Sequence, residues 1–503
     1  MSRPEPLSAW PKGGQRRDGT LARMNRRRFL SQALSLAGGM WSLSAPQVLA
    51  RRRPMDTDIR LLELEPTFTE ARLRTPLKFG TGVIKAVTCC TVRARVENGR
   101  GGVGEGWGQI LLSDLWAWPS DLPHETRDAA MRQVVRHFCG ELCRQATEPQ
   151  HPLDLYLEAK PLLLRTAAEV SRQQRLAEPL PELAALVCGS PVDAALHDAF
   201  GNVNGLCAYE ALGPEFLSDL SHHLGPEFRG RYLSDYLQPR YASKLPIFHL
   251  IGGLDKLTRS EVDDTDPQDG LPVSLEEWIE RDGIYCFKVK LRGKEVDWDV
   301  ERTKAVAEVV AAALAKQGRR EFYLSLDTNE QNPNPESVLE YLDKLQAASP
   351  LAYEHLLYLE QPTERDLQAH CYDLREVARR KPVLADEGVT SVEKFHLARE
   401  LGWSGLALKT CKGHSAALLY VALCEHYGMP YTVQDLTNPG LALIHEAGFA
   451  ARTRPLMGFE YNARQYLPHE QPEVQRKHLQ LFTVRQGCVR TDSLGPTGLG
   501  YGR

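Results

Sequence analysis

The sequence predicts an α/β protein whose C-terminal half is an eight-stranded parallel barrel. From Leu245 onward, short apolar runs alternate with helical patterns, and most of the runs end on a charged residue. The longest step between such ends is 37 residues (327 − 290), from Lys290 to Asp327, and the shortest is 23 (409 − 386), from Asp386 to Lys409. Each step fits one strand, one helix and two turns. Parallel strands that are apolar along their whole length are buried on both faces of the sheet. Eight such strands imply a barrel, whose functional residues lie at the C-terminal ends of the strands.

The composition is that of a globular protein with a large core. The 503 residues are 42% hydrophobic and 25% charged, and this length favours two domains. Acidic residues outnumber basic ones 65 to 61, so no global positive field favours nucleic acid, and a small-molecule partner is expected. The 11 cysteines form no CxxC pair, which argues against a disulfide framework or a zinc site.

Residues 1–50 are predicted to be a targeting segment and not part of the fold. Arg26 and Arg27 precede a mildly apolar run that ends in small residues at Ala50. This order resembles a twin-arginine export signal, with cleavage after Ala50, a periplasmic location and the export machinery as a partner. The run is too short and too rich in Gly and Ser for a stable membrane span. A basic disordered tail is the alternative, and Met24 is a second candidate start.

Residues 51–240 are predicted to open with strands. Ile59 to Leu64 and Ala86 to Val96 carry β-branched runs, and a glycine-rich segment lies before Ile110. That segment spells G-x-G-x-x-G, but no helical pattern follows it, so a hairpin turn is favoured over a phosphate cradle. The segment Thr75 to Gly82 is expected to be a mobile loop because its glycines permit wide backbone freedom.

The rest of this region is predicted to be helical. Apolar residues recur at three- and four-residue steps in His124 to Ala146 and in Pro181 to Leu212. Ser190 followed by Pro191 predicts a helix start. His197 and Asp198 lie on that helix, and a core or surface pair is favoured over a functional site.

The barrel is assigned to residues 241–467. Its predicted strands are Leu245 to Leu250, Tyr285 to Leu291, Phe322 to Asp327, Leu356 to Glu360, Pro382 to Asp386, Leu406 to Lys409, Tyr431 to Asp435 and Gly458 to Tyr461. Its predicted helices are Ser274 to Arg281, Val296 to Lys316, Pro335 to Ala347, Arg365 to Arg380, Ser391 to Leu401, Ser415 to Tyr427 and Pro439 to Ala451. A polar insertion at 255–270 follows the first strand. The tail at 468–503 is expected to return to the first domain, with Leu481 to Val484 and Gly487 to Arg490 as strand candidates.

Two lysines share one predicted strand. Lys288 and Lys290 are two residues apart, so both are expected to point into the barrel mouth. Burying two ammonium groups together is expected to lower the pKa of at least one, which would make it a base near neutral pH. A pair of surface lysines on an edge strand is the alternative, but a closed barrel has no edge.

Three carboxylates end consecutive strands. Asp327, Glu360 and Asp386 are therefore expected to converge on one side of the mouth. Without thiol or histidine partners they form a hard oxygen site, which suits Mg²⁺. Asn329 is expected to support this set, and Glu387 is either a ligand or a supporting partner.

Lys409 ends a strand beyond the carboxylates and is expected to face Lys290 across the metal. Lys412 lies past the strand end and is expected to be solvated or to begin a helix. Two bases that flank a metal-bound carboxylate can remove an α-proton from one face and return it to the other.

Five motifs in this order, KVK, DTN, LEQP, ADE and LKTCK, resemble the enolase superfamily, and most closely its muconate-lactonizing-enzyme and dipeptide-epimerase subgroup. The resemblance covers residues 57–503 and implies a modified (β/α)7β barrel with an α+β capping domain. It also implies lysine bases acting with Mg²⁺, a mechanism already known for this superfamily.

The resemblance further implies roles for individual residues. Lys290 and its partner Lys288 match the KxK base motif, and Lys409 matches the opposing base. Asp327, Glu360 and Asp386 match the Mg²⁺ ligands. Asp435 ends the seventh strand, but the mandelate-racemase variant with a His-Asp dyad is disfavoured because Lys409 is present and no His ends the eighth strand. Glu460 occupies a position at which family members touch substrate.

The expected activity is a racemase or epimerase acting α to a carboxylate, on an amino-acid or dipeptide derivative. The alternatives are a cycloisomerase or syn-dehydrating lyase of the muconate-lactonizing or o-succinylbenzoate-synthase type, and a non-catalytic periplasmic binding protein. The loop from Leu77 to Gly82 is expected to close over the substrate. A homo-oligomer is compatible with the sequence.

Overall fold

The computed structural model describes residues 54–79 and 82–502, which fall in one compact unit. The export segment predicted at residues 1–50 lies outside these residues. Within them, no helix combines the length and the apolar character needed to cross a bilayer.

The C-terminal half is a closed barrel of eight parallel strands, as predicted. In chain order its strands are β4 (Lys244–Ile251), β5 (Cys286–Lys290), β6 (Tyr323–Asp327), β7 (Leu356–Glu360), β8 (Val383–Ala385), β9 (Gly405–Leu408), β10 (Tyr431–Val433) and β11 (Phe459–Glu460). Each strand pairs with the next, and β11 pairs with β4 to close the barrel. Lys290 is in register with Asp327, and Asp327 with Glu360, so the polar strand ends lie side by side at one end of the barrel.

Helices separate the barrel strands and bury the outer face of the sheet. They are α6 (Leu275–Asp282), α7 (Val296–Lys316), α8 (Pro335–Ala348), α9 (Pro350–His355), α10 (Arg375–Arg380), α11 (Val392–Glu400), α12 (His414–Tyr427) and α13 (Gly440–Arg452). Local sequence sets their ends: Ser274 and Glu277 form a capping box at the start of α6, and Gly283 ends it with φ 64°. Short 3-10 turns lie at Arg259–Glu261 and Thr410–Lys412.

The N-terminal part is a three-stranded antiparallel sheet packed on helices. Its strands are β1 (Ile59–Phe79), β2 (Gly82–Asn98) and β3 (Val103–Leu111). Its helices are α1 (Asp114–Ala117), α2 (His124–Gln145), α3 (Pro152–Gln173), α4 (Glu182–Asn204) and α5 (Ser221–Leu224), with 3-10 turns at Ala208–Ala211, Pro226–Phe228 and Leu233–Asp235. The glycine-rich segment after Asn98 is a hairpin turn, as favoured from the sequence.

The prediction of a loop at Thr75 to Gly82 is wrong for its described residues. β1 continues to Phe79, and Leu77, Lys78 and Phe79 pair with Ile84, Val83 and Gly82. The sequence suggested a loop because glycines permit wide backbone freedom. A register shift between Arg72 and Leu77 instead bends the strand, so the hairpin extends toward the barrel.

The helix start predicted at Pro191 is also wrong. Pro191 lies inside α4, where it lacks the N–H that would bond the carbonyl of Val187. The Ser190 hydroxyl donates to that carbonyl instead, at 2.9 Å. The serine therefore satisfies the acceptor that proline leaves open, and the helix continues.

Two further predictions fail at the barrel periphery. Residues 365–374 are not helical, and α10 begins only at Arg375, because the Arg365 guanidinium binds Glu330 across the neighbouring loop. The first two residues of the strand candidate Leu481 to Val484 belong to helix α16 (Leu479–Phe482), and the last two are not in a strand. Helix α16 follows α14 (Ala463–Tyr466) and α15 (Pro472–Lys477).

The C-terminal segment contacts both parts of the protein. Strand β12 (Cys488–Arg490), predicted from Gly487 to Arg490, pairs antiparallel with barrel strand β4. Farther along, the Gly498 carbonyl accepts from the Ala208 N–H, and the Leu499 N–H donates to Asp198 on α4. The tail therefore contacts the barrel at residues 488–490 and the cap at residues 498–499.

Candidate active site

The barrel mouth holds buried charged side chains beneath the cap. A cavity of about 50 Å³ lies there. Its walls combine apolar cap residues with polar strand-end residues, among them Leu77, Phe79, Ile84, Trp116, Lys288, Lys290, Lys409, Asp435 and Glu460. The cavity is far below the 300–1,000 Å³ of ordinary ligand sites.

Lys288 and Lys290 both reach the carboxylates of the mouth. The Lys288 ammonium donates to Glu360 Oε1 at 2.7 Å and lies 3.2 Å from Asp327 Oδ2. Burial would lower the pKa of Lys288, but the carboxylates of Glu360, Glu460 and Asp327 outweigh it and hold the pKa well above its usual value. A lowered pKa was expected for at least one of the two lysines; at Lys288 the surrounding anions raise the pKa instead.

Lys290 lies nearer the cavity. Its ammonium donates to Asp327 Oδ2 at 2.5 Å and to Asn329 Oδ1 at 3.0 Å. Asn329 has φ 45°, a left-handed backbone conformation that is unusual outside glycine and is often found at functional sites. Its N–H donates to Asp327 Oδ1 at 2.7 Å, so the turn after β6 orients both the carboxylate and the lysine.

The three predicted metal ligands occupy neighbouring strand ends and are fully buried. Asp327 and Glu360 end β6 and β7, and Asp386 directly follows β8. Although burial opposes it, Lys290 and Lys288 lower the pKa of Asp327, and Lys409 and Lys412 lower that of Asp386 to about 2. Burial raises the pKa of Glu360 to about 8, because Lys288 offsets only part of the desolvation.

Lys409 and Lys412 both bind Asp386. Lys409 directly follows β9, hydrogen-bonds Asp386 and lies 4.0 Å from Glu360 Oε1. Burial opposes the charged form of Lys409, but Asp386 raises its pKa above the usual value, so the expected base has no lowered pKa here. Lys412 is buried, 3.0 Å from Asp386 Oδ1, and bonds the Asp386 carbonyl. The prediction that Lys412 is solvated is wrong, because a 3-10 turn folds it inward.

A second group of acids forms the opposite wall. Burial, and then the neighbouring Glu460, raise the pKa of Asp435 to about 8. Asn462 Nδ2 donates to both Asp435 and Glu460, at 2.9 and 2.7 Å. Behind them on α13, burial raises the pKa of Glu446 well above its usual value. Glu460 thus lies at the mouth next to Lys288, at 3.4 Å, as well as beside Asp435.

The donor set fits a divalent cation. Seven buried carboxylates face four buried ammonium groups across the mouth: Asp327, Glu360, Asp386, Glu387, Asp435, Glu446 and Glu460 against Lys288, Lys290, Lys409 and Lys412. Burial raises the pKa of three of these acids, Glu360, Asp435 and Glu446, and the protons that they hold offset the excess of carboxyl groups over ammonium groups. The oxygen-only donors suit Mg²⁺. Ammonium groups lie between the carboxylates, and no three His, Cys, Asp or Glu side chains of residues 54–79 and 82–502 are gathered in metal-binding geometry.

Three supporting residues were not predicted from the sequence. Gln434 bridges the ammonium of Lys288 and Glu360 Oε2, with both contacts at 2.6 Å. Gln361 Oε1 accepts from the N–H of Asp386 at 2.9 Å and fixes the turn after β8. Trp116, in the cap, donates to Glu387 at 2.8 Å. Gln434 and Gln361 adjoin the predicted strand ends, so their spacing was a usable signal, whereas nothing in the local sequence marked Trp116.

His197 and Asp198 lie away from the mouth. His197 lies in the seam between α4 and barrel helix α12, and Asp198 lies beside β3 and the C-terminal tail. His197 Nε2 is 2.9 Å from Ser415 Oγ, and that hydroxyl donates to Asp193 at 2.7 Å. Asp198 accepts from the N–H groups of Trp107 and Leu499. Both residues are buried packing groups, in line with the core pair favoured from the sequence.

Comparison with protein families identifies the barrel. Residues 271–502 match a family model described as Enolase C-terminal domain-like. None of the curated proteins compared with the chain matches it.

Solved structures resemble nearly the whole described chain. An N-succinyl Arg/Lys racemase from Bacillus cereus is 17% identical, with 88% of this chain and 95% of that chain covered and a TM-score of 0.55. A dipeptide epimerase from Enterococcus faecalis, complexed with Mg and L-Leu-L-Tyr, is 16% identical, with 88% and 99% covered and a TM-score of 0.55. A muconate lactonizing enzyme from Pseudomonas fluorescens, complexed with muconolactone, is 16% identical, with 88% and 96% covered and a TM-score of 0.53.

At these identities the likeness to solved structures establishes the fold. The family model adds that residues 271–502 resemble the C-terminal domain of enolase.

Proposed function

We propose that this protein is a Mg²⁺-dependent enolase-superfamily enzyme that removes the α-proton of a carboxylate substrate, and that it acts as a racemase or epimerase on an amino-acid or dipeptide derivative. One observation carries the proposal. Two lysines, Lys290 on the second barrel strand and Lys409 after the sixth, stand on opposite sides of a row of three carboxylates. Such a pair is what proton removal from one face and return from the other requires.

The chain supplies the proton carriers. Lys290 and Lys409 both line the cavity, so each can reach a substrate carbon held between them. One lysine takes the α-proton as its neutral amine, and the other donates a proton as its ammonium. In the reverse direction the roles exchange. Lys288, deeper and held by Glu360 and Gln434, stays charged and favours negative charge on the substrate carboxylate.

The metal is expected at Asp327, Glu360 and Asp386. When bound there, Mg²⁺ supplies a Lewis acid that stabilises the negative charge left by proton removal. The dipeptide epimerase from E. faecalis was solved in complex with Mg, which supports the same ion here. Each proposed base is ion-paired with a proposed ligand, Lys290 with Asp327 and Lys409 with Asp386, so cation binding and lysine ionisation are coupled.

A cycloisomerase or syn-dehydrating lyase is the second candidate, and the likeness to a muconate lactonizing enzyme favours it. In such an enzyme one lysine is the base and the other is only a cation. Lys409→Arg separates the two candidates, because arginine keeps the charge but cannot exchange protons near neutral pH. A racemase then loses exchange on one face, whereas a one-base lyase keeps its chemistry.

The test is α-proton exchange in D₂O, followed by NMR with Mg²⁺ present. The probes are a set of N-acyl amino acids, the pair L-Leu-L-Tyr and D-Leu-L-Tyr, and a wider set of dipeptides. We expect the wild-type protein to exchange the α-proton of at least one member and to form both configurations from either isomer. Exchange of none of them, by protein that binds Mg²⁺, would refute the racemase proposal.

We also propose export through the twin-arginine pathway, on the basis of Arg26, Arg27 and the small-residue end at Ala50. Replacing both arginines by lysine should retain the protein in the cytoplasm. Cell fractionation in a bacterial host measures this, and unchanged export of the double variant would refute it.

A further inference from the structure

Trp116 is the cap residue that meets the charged cluster of the barrel most directly. It lies on the short helix α1, between β3 and α2, and is 4% exposed. Two contacts fix its position. Its carbonyl accepts from Arg365, which is itself paired with Glu330, and the adjoining Asp114 is paired with Arg127 at 3.0 Å. The backbone of α1 is therefore held from both the barrel side and the cap side.

The indole contacts one partner with its ring face and another with its ring N–H. The Lys409 ammonium lies over the ring, 4.6 Å from a ring centroid. The ring N–H donates to Glu387 Oε1 at 2.8 Å. An ammonium over a tryptophan face is attracted by the ring quadrupole, and the effect grows when both groups are out of water.

A chain of contacts leads from the same indole to the other base. Glu387 Oε1 also accepts from Asn329 Nδ2 at 3.3 Å. Asn329 Oδ1 in turn accepts from the Lys290 ammonium at 3.0 Å. Trp116 thus contacts Lys409 directly and Lys290 through two intermediate residues.

These contacts matter because the charged partners of the two lysines are proposed metal ligands. Lys290 binds Asp327, and Lys409 binds Asp386. The Lys290 ammonium also lies 5.6 Å from the ring centroid of Phe79, at the end of β1. A lysine that must transfer protons beside a metal needs an orienting partner that is not itself a ligand. Asn329 provides one for Lys290, and the Trp116 ring provides one for Lys409.

We propose that Trp116 is a positioning residue that aims Lys409 at the substrate carbon, and that Glu387 and Asn329 extend its influence to Lys290. The inference rests on the proposed two-base function. It makes the cap part of the proton-transfer machinery as well as a cover over the cavity.

The first test needs no substrate. In protein labelled with 5-fluorotryptophan, the fluorine resonance of Trp116 is the one that disappears in Trp116→Phe. We expect this resonance to shift in Lys409→Met and in Glu387→Gln and to stay in place in Lys344→Met, a surface variant. An unshifted resonance in Lys409→Met would overturn the contact, whether or not the protein is a racemase.

The second test uses solvent exchange with the probe pair L-Leu-L-Tyr and D-Leu-L-Tyr, or another pair that the wild-type protein exchanges. Trp116→Phe keeps a ring face and loses the N–H, whereas Trp116→Leu loses both. We expect Trp116→Phe to lower exchange less than about threefold and Trp116→Leu to lower it a further tenfold or so, mainly on the face served by Lys409. The variants Lys409→Met and Lys290→Met identify the face of the substrate carbon that each lysine serves, because each should lose exchange on one face.

The matched control is Trp118→Phe, a buried tryptophan two residues along that should leave the ratio of the two faces unchanged. Equal losses on both faces in Trp116→Leu, or a Trp116→Phe variant as impaired as Trp116→Leu, would overturn the positioning role. Absence of exchange by wild-type protein would instead count against the proposed function, and the fluorine spectra would still decide the contact.

Discussion

Two buried polar clusters in this protein differ in what their burial achieves. The mouth cluster comprises the seven carboxylates and four lysines at the strand ends, and the seam cluster comprises Asp193, His197 and Ser415 between α4 and α12. Both are withdrawn from water. The seam is closed and balanced by hydrogen bonds among its own members, with contacts of 2.7–2.9 Å.

The mouth differs in charge and in access. Its carboxylates outnumber its ammonium groups, it borders a cavity, and one of its turns has the unusual backbone of Asn329. A histidine beside an aspartate and a serine therefore does not by itself indicate catalysis. A dense group of buried charged side chains next to a cavity is the stronger indication.

The largest expected difference between the clusters is in activity. Lys290→Met removes a proposed base, so we expect α-proton exchange on its face to fall by about 10²–10⁴-fold while the protein remains folded. Exchange rates in D₂O and circular dichroism measure the two quantities. Lys344→Met, on the surface, is the control and should leave both unchanged. Full exchange activity of Lys290→Met would contradict the proposal that the mouth cluster, unlike the seam cluster, is catalytic.

Asp193 in the seam should make the stability of the protein fall as the pH rises. Burial raises the pKa of Asp193 to about 7 from 3.8, although its bonds from Ser415 oppose the shift. The folded state therefore holds this proton more tightly, and its contribution is complete below about pH 4 and lost as the pH rises through about 7. The free energy of unfolding of the wild type, relative to Asp193→Asn, should fall by up to about 4 kcal/mol over that interval. Denaturant melts of both proteins at several pH values measure this difference. A wild-type free energy of unfolding that rises with pH relative to that of Asp193→Asn would contradict the assignment.

Removing the Ser415 hydroxyl, at the centre of the seam cluster, should lower the free energy of unfolding but leave α-proton exchange unchanged. Ser415→Ala leaves Asp193 Oδ1 and the His197 ring nitrogen without their bond, so we expect a loss of about 1–3 kcal/mol in the free energy of unfolding. Exchange per folded molecule should stay the same. Ser190→Ala, whose hydroxyl bonds one carbonyl in α4, is the matched control with a smaller loss. A selective loss of exchange in Ser415→Ala would mean that the seam is functional after all.

The smallest effect is expected at the rim of the mouth. Arg74 on β1 holds Asp269 of the 255–270 insertion through two bonds, at 2.6 and 2.8 Å, and binds the carbonyls of Leu271 and Pro272. Arg74→Ala should loosen the β1–β2 hairpin over the cavity. We expect KM to rise by about 3- to 10-fold with little change in kcat, because the contact is remote from the reacting atoms.

Arg72→Ala is the matched control for this change. Arg72 lies two residues earlier on the same strand and is exposed, with Glu70 as its partner. Its removal should not alter KM. Equal effects of the two variants would show that the insertion does not hold the hairpin.

The barrel was predictable because its strands are short, apolar and regularly spaced. Predicted bounds fell within a few residues of the structure, and α7 at Val296–Lys316 has the bounds that were predicted for it. The predictions failed where a side-chain hydrogen bond or ion pair overrides the usual preference of the backbone. Pro191 lies inside a helix because Ser190 replaces its missing bond, and the segment after Arg365 is drawn out by Glu330.

The site was predictable to the extent that it lies on strand ends. Lys290, Asp327, Glu360, Asp386 and Lys409 are all placed at the mouth, although their chemical roles remain predictions. Their ionisation was not predictable from spacing, since it depends on how many anions surround each ammonium. Trp116 was missed because it comes from the cap, more than two hundred residues before its partner Glu387 in the chain.

Calorimetric titration with Mg²⁺, after EDTA treatment, tests the central claim most directly. The claim is that carboxylates of the mouth cluster bind a cation, whereas Asp193 of the seam cluster does not. Wild type and Asp193→Asn should each bind one Mg²⁺ per chain with similar affinity, and Glu360→Gln should bind at least about tenfold more weakly, because it removes one charged ligand. Absence of Mg²⁺ binding by the wild type, or equal weakening in Asp193→Asn and Glu360→Gln, would contradict this claim.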